Sequence, residues 1–183
     1  KESFSYENLS HGYLDFDDNR KEANRFIMKL AVFVAMSDSS LDETEGFVIK
    51  KWMKKSIESY EDSETKITIK NELNALFKES YAEAQNGQLS LQYIIDNLVK
   101  FGDQASKYEA IELCYDVMTA DGIAEKEEIE AIDNITKSLG LDPNEISGIR
   151  DTKMRDLNQD QLETQNIEGI LNIDPNKSSE EIK

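Results

Sequence analysis

Thr119-Ala120-Asp121-Gly122-Ile123-Ala124-Glu125-Lys126-Glu127-Glu128 lies between two apolar patterns of helical spacing. It has an earlier counterpart in Met36-Ser37-Asp38-Ser39-Ser40-Leu41-Asp42-Glu43-Thr44-Glu45. In each copy an Asp closes one helix and a Glu follows seven positions later, inside the next helix: Asp38 to Glu45, and Asp121 to Glu128. A repeated unit reveals the plan of a fold. Here the unit is helix, acidic turn, helix, so the chain is expected to contain two related halves.

Working outward from the turns, the apolar residues recur at helical rather than alternating spacing, and only two prolines and eight glycines interrupt them. The fold class is therefore all-α, a bundle of about seven helices. A helix over about 20–37 carries Ile27, Leu30, Ala31 and Val34 on one face. The next runs to about Ile57, with Phe47, Ile49, Trp52 and Met53 as core contacts. Asp42, Glu43 and Glu45 open it while Lys50, Lys51, Lys54 and Lys55 close it, the order that complements the helix dipole.

A helix over about 64–85 (Ile67, Ile69, Leu73, Leu76, Phe77, Tyr81) and one over about 90–101 (Tyr93, Ile94, Leu98) are separated by Asn86-Gly87. The second repeat starts with a helix over about 105–119, where Ile111, Cys114, Tyr115 and Met118 form the stripe. Its partner presents Ile129, Ile132, Ile135 and Leu139. Gly140 supplies a C′ position, and Asp142-Pro143-Asn144-Glu145 reads as cap, N1 proline and capping-box Glu of a further short helix. The expected division is an N-terminal extension at 1–19, a helical domain at 20–150, and a polar extension at 151–183 that packs on the bundle or is partly disordered. Lys1 at the start, and a Ser178/Glu181 capping box at the end, suggest a piece of a longer protein.

Thirty-eight acidic against twenty-one basic residues give a formal charge of −17. Such a chain repels phosphate backbones and anionic lipid over a Debye length of about 8 Å, which argues against nucleic-acid binding and suits a cation or a basic protein partner. The single cysteine, Cys114, excludes an internal disulfide and favours a reducing compartment, so a cytoplasmic location is expected. The longest apolar segment, at 30–36, is too short to cross a bilayer.

Two readings of the acidic turns stay open. As a cation site, Asp38, Ser40, Asp42 and Glu45 in the first copy, or Asp121, Glu125 and Glu128 in the second, offer oxygen ligands to Ca²⁺ or Mg²⁺ rather than the sulfur and nitrogen of a structural zinc site. Neither copy is an EF-hand: counting from Asp38 or Asp121 puts Glu43 or Lys126 at position six, and Ile49 or Ile132 at position twelve. As plain helix chemistry, Asp42 and Glu45 form a capping box, whereas Asp121 lies too far from Glu128 to form one. His11, the single histidine, is assigned to no catalytic triad, Cys114 sits on an apolar stripe, and no phosphate loop or His-Glu metal motif occurs. No catalytic residue is assigned.

Ala120-Asp121-Gly122-Ile123, then Glu128, then Ile135-Thr136-Lys137-Ser138-Leu139-Gly140-Leu141-Asp142-Pro143 resemble the TerB-like tellurite-resistance family over about residues 20–150. The first copy departs from the family pattern by carrying Ser39 where Gly is usual. The resemblance implies an all-helical bundle of two halves whose turn carboxylates gather on one face as a metal-binding or docking surface. Asp38, Glu45, Asp121 and Glu128 carry over by position, with Asp42 and Glu125 as further members. It also implies a non-enzymatic role in tellurite resistance and chemical stress, beside calcium-binding and membrane partners, at the inner face of the membrane. At the other end, Ile170-Leu171-Asn172-Ile173-Asp174-Pro175 with Ser178, Glu181, Ile182 and Lys183 resembles the opening of a J-domain-type co-chaperone module, although the sequence holds no His-Pro-Asp motif.

These readings converge on a module that binds a divalent cation or a partner through the acidic face. The alternative is a metal-independent adaptor whose carboxylates dock a basic protein surface.

Overall fold

The computed structural model describes residues 7–37, 40–124 and 126–156. Six helices run in order: α1 (Glu7–Ala35), α2 (Glu43–Glu58), α3 (Ser63–Gln85), α4 (Leu91–Phe101), α5 (Gln104–Met118) and α6 (Lys126–Ser138). A seventh, α7, occupies 143–156. There is no strand among the described residues. No helix described is long and apolar enough to cross a membrane.

The helices begin where side chains satisfy the orphan N–H groups of the first turn. Asp62 caps α3 through the Thr65 N–H (2.6 Å), and Asp103 caps α5 through the Ser106 N–H (2.8 Å). Asp142 Oδ1 accepts from the Asn144 N–H (2.8 Å) at the start of α7. Glu145, read from sequence as the reciprocal member of that cap, accepts the Tyr108 hydroxyl of α5. Gly140 ends α6 at φ 70°, with the Leu141 N–H reaching back to the Thr136 carbonyl (3.3 Å), the left-handed termination a Cβ would strain.

α1 is the central helix, packed chiefly against α5, α4 and α3; α2 covers α5 and α3, and α6 rests mainly on α5. Ile27, Leu30, Ala31 and Val32 of α1 are fully buried, as are Ile94 and Leu98 of α4 and Ile111, Cys114 and Tyr115 of α5. Leaving water accounts for most of the stabilisation of such a core. Three residues expected in it are outside: Phe47 (67% exposed), Ile67 (62%) and Tyr93 (59%). On α2 the buried set is Gly46, Ile49, Trp52 and Met53. Phe47 therefore stands about 100° round the helix from Gly46, and Ile67 likewise falls on the face of α3 opposite Ile69.

Two boundaries also differ from expectation. α1 starts at Glu7 rather than near residue 20, and α7 continues past 150 to 156. Extending an existing helix costs little once its first turn is nucleated.

Candidate functional site

The first acidic turn connects α1 to α2, and the second connects α5 to α6. Asp38 and Glu125 fall outside the described residues; Asp42, Glu45, Asp121 and Glu128 do not. In the first turn Asp42 is the N-cap of α2. Its Oδ1 accepts the Glu45 N–H (2.9 Å) and the Thr44 hydroxyl (2.6 Å), while Glu45 Oε2 accepts the Asp42 N–H (3.0 Å). The reciprocal capping box is therefore complete. The Thr44 hydroxyl, followed by the Glu45 N–H, holds the Asp42 carboxyl below the ordinary Asp range.

In the second turn Asp121 is exposed, and its Oδ1 accepts the Ile123 N–H (2.9 Å). Gly122 adopts φ 84° and donates its N–H to the Thr119 carbonyl (3.0 Å). A glycine is needed here for conformation rather than space, since a Cβ would meet nothing within 4 Å. Glu128 is half-buried, one turn inside α6. It lines a cleft of about 700 Å³ together with Ser37, the residue immediately before Asp38. The end of α1 and the start of α6 therefore border the same cavity.

Among the described residues, no three His, Cys, Asp or Glu side chains gather closely enough to hold a metal ion. The pairing of Asp42 with Glu45 is helix capping. Of the acidic residues of the second turn, Asp121 is exposed and Glu128 half-buried.

Several polar residues that the sequence reading did not single out tie the helices together. Glu109 of α5 accepts from Arg20 of α1 (2.8 Å) and from the Trp52 indole N–H of α2 (2.8 Å), and Arg20 also reaches Ser106 (2.9 Å). Lys29, only 7% exposed, pairs with Glu83 of α3 (2.6 Å). Tyr115 and Arg150 both reach Asp133 of α6 (3.1 and 3.3 Å). Burial, and then the charge of Asp133, push the Tyr115 hydroxyl pKa upward. Lys29 left a trace in the sequence, a lone cation inside the apolar run 26–36. Cys114 is fully buried, and desolvation pushes its thiol up to about 12, which leaves it a core residue rather than a nucleophile at neutral pH.

A family model, tellurite resistance protein TerB, matches residues 27–151, and the chain belongs to this family. No curated protein and no solved structure shows significant similarity to the chain. The family match stops before residues 170–183, so none of the comparisons supports the J-domain-like opening read there.

Proposed function

We propose that this domain is a non-enzymatic, tellurite-resistance-type stress module that captures a divalent cation at its second acidic turn, with Asp121 and Glu128 supplying carboxylate oxygens. Membership of the TerB family supports the stress-response assignment. The observation that supports this reading is that Ser37, just before the first turn, and Glu128 of the second line one cleft. Asp38 and Glu125 are the remaining members of the proposed set, while Asp42 and Glu45 serve first as the cap of α2. Oxygen donors favour Ca²⁺ or Mg²⁺ over Zn²⁺. In this reading the module works in the cytoplasm, recruited to the inner face of the membrane by calcium-binding and membrane components of a resistance system.

The test is thermal unfolding of the wild type and of Asp121→Asn/Glu128→Gln, each in chelator and in Ca²⁺ or Mg²⁺. A bound ion at a hundredfold excess over its Kd stabilises the fold by about 2.7 kcal/mol. The wild type is expected to shift and the variant not to shift. Equal midpoints with and without every ion would discard the cation role.

One observation favours the metal-independent adaptor instead. Asp42 and Glu45 are already engaged with each other and with backbone N–H groups, an arrangement that holds two carboxylates at the start of α2 without a cation and suits a basic protein surface. Under that reading, partner capture falls steeply with salt and is unaffected by chelator.

A further inference from the structure

The cleft bordered by Glu128 differs from two other surface depressions among the described residues. One of those, between α1 and α3, is edged by Arg25, Glu72 and Glu79; the other, between α2 and α5, is edged by Lys51, Glu112 and Asp116. The third has an apolar floor of Phe33 and Val34 from α1, Leu91 and Ile95 from α4, and Ile132 and Ile135 from α6. It exists because α6 leans on α5 and leaves part of its apolar stripe turned toward α1 and α4 without closing on them. At about 700 Å³ it has room for several aliphatic side chains.

We propose that this cleft is the docking site for the chain's own C-terminal segment at 167–173. Four observations select that occupant. Residues 157–183 follow α7, and their densest aliphatic run is Ile167, Ile170, Leu171 and Ile173, the first three at the i, i+3, i+4 spacing of one helical face. α7 is held where the run can reach: Lys153 pairs with Asp116 near the end of α5 (2.6 Å), and Arg150 with Asp133 of α6 (3.3 Å). The ten residues 157–166 span up to ~33 Å when extended, more than the ~20 Å length of α6, along which the cleft runs. Finally, the segment 167–173 carries one charge, Glu168, in a chain of formal charge −17. A nearly neutral strip can enter an apolar floor without leaving unpaired charge behind.

The docked segment completes the layer that α6 leaves open and covers the side of α6 next to Glu128. The proposal does not depend on whether the turns bind a cation.

The test uses the full chain with two introduced cysteines, Ala131→Cys and Ile170→Cys. Ala131 is exposed on the cleft wall, and native Cys114 is buried and stays out of reach. Mild oxidation is expected to give a monomer with an internal disulfide, formed several-fold faster than in a control pair, Glu72→Cys/Ile170→Cys, placed at the α1–α3 depression. Independently, Ile170→Glu/Leu171→Glu should raise the fluorescence of an apolar dye several-fold with helix content unchanged. Equal crosslinking in the two pairs together with unchanged dye binding overturns the proposal. A disulfide-linked dimer overturns it as well, by showing that a second copy fills the cleft.

Discussion

Glu109 is the side chain on which three helices meet, since its two oxygens serve Arg20 of α1 and the Trp52 indole of α2 while its backbone belongs to α5. Truncation leaves a part-buried guanidinium and an indole N–H without their acceptor. Hydrogen bonds to charged groups contribute about 1.5–3 kcal/mol each, so Glu109→Ala is expected to lower stability by about 2 kcal/mol, with Glu109→Gln losing less. Urea unfolding followed by the fluorescence of Trp52, the single tryptophan, measures this directly. An unchanged midpoint would mean that water replaces the carboxylate without loss. Nothing in the sequence marked Glu109, because a Glu beside an apolar stripe reads as a solvated face until the partner helices are placed. The capping box of Asp42 and Glu45 was legible because all its members lie within four residues, whereas the relation of Ser37 to Glu128 depends on tertiary packing.

At the scale of the element, short polar side chains fix where α3, α4 and α5 start. Asp62, Ser90 and Asp103 occupy the N-caps of α3, α4 and α5, each with its side-chain oxygen on the N–H three residues on. Phe47 and Tyr93 were misplaced because each is one residue from a buried position, and a single step turns a side chain by about 100°. The cap of α5 allows a pH-dependent test. The Ser106 hydroxyl, and then its backbone N–H, lower the Asp103 pKa below 3.8 in the fold. Because the folded value lies below the unfolded one, the charged cap stabilises fully above the ordinary Asp range and fades as pH falls through the folded value. Asp103→Ala is accordingly expected to cost about 1 kcal/mol near neutrality. The gap to wild type should then close below pH 3.8 in urea titrations. A gap of constant size at every pH would assign the effect to helix propensity instead of to the ionised cap.

For the whole molecule, the all-helical class followed from periodicity and the absence of strand patterning, and the core followed from the stripes of α1, α4 and α5. The arrangement of the helices did not follow, because helical stripes say which face is buried and not what it is buried against. Charge acts on the same global scale. A formal charge of −17 places acidic groups within a Debye length of one another at low salt, so compaction works against their repulsion. Raising NaCl shortens that length from about 30 Å at 0.01 M to about 3 Å at 1 M. The unfolding midpoint should therefore climb with NaCl alone, steeply at first and then level off. This general effect separates cleanly from a cation site. At matched ionic strength, Ca²⁺ or Mg²⁺ should add a further rise that saturates at low concentration and is missing in Asp121→Asn/Glu128→Gln. The same variant, two charges less negative, should retain most of the NaCl response. If NaCl reproduces the whole divalent effect, the acidic turns act only through their contribution to net charge. If the divalent increment survives at matched ionic strength and disappears in the variant, repulsion between the turn carboxylates is relieved by an ion held among them.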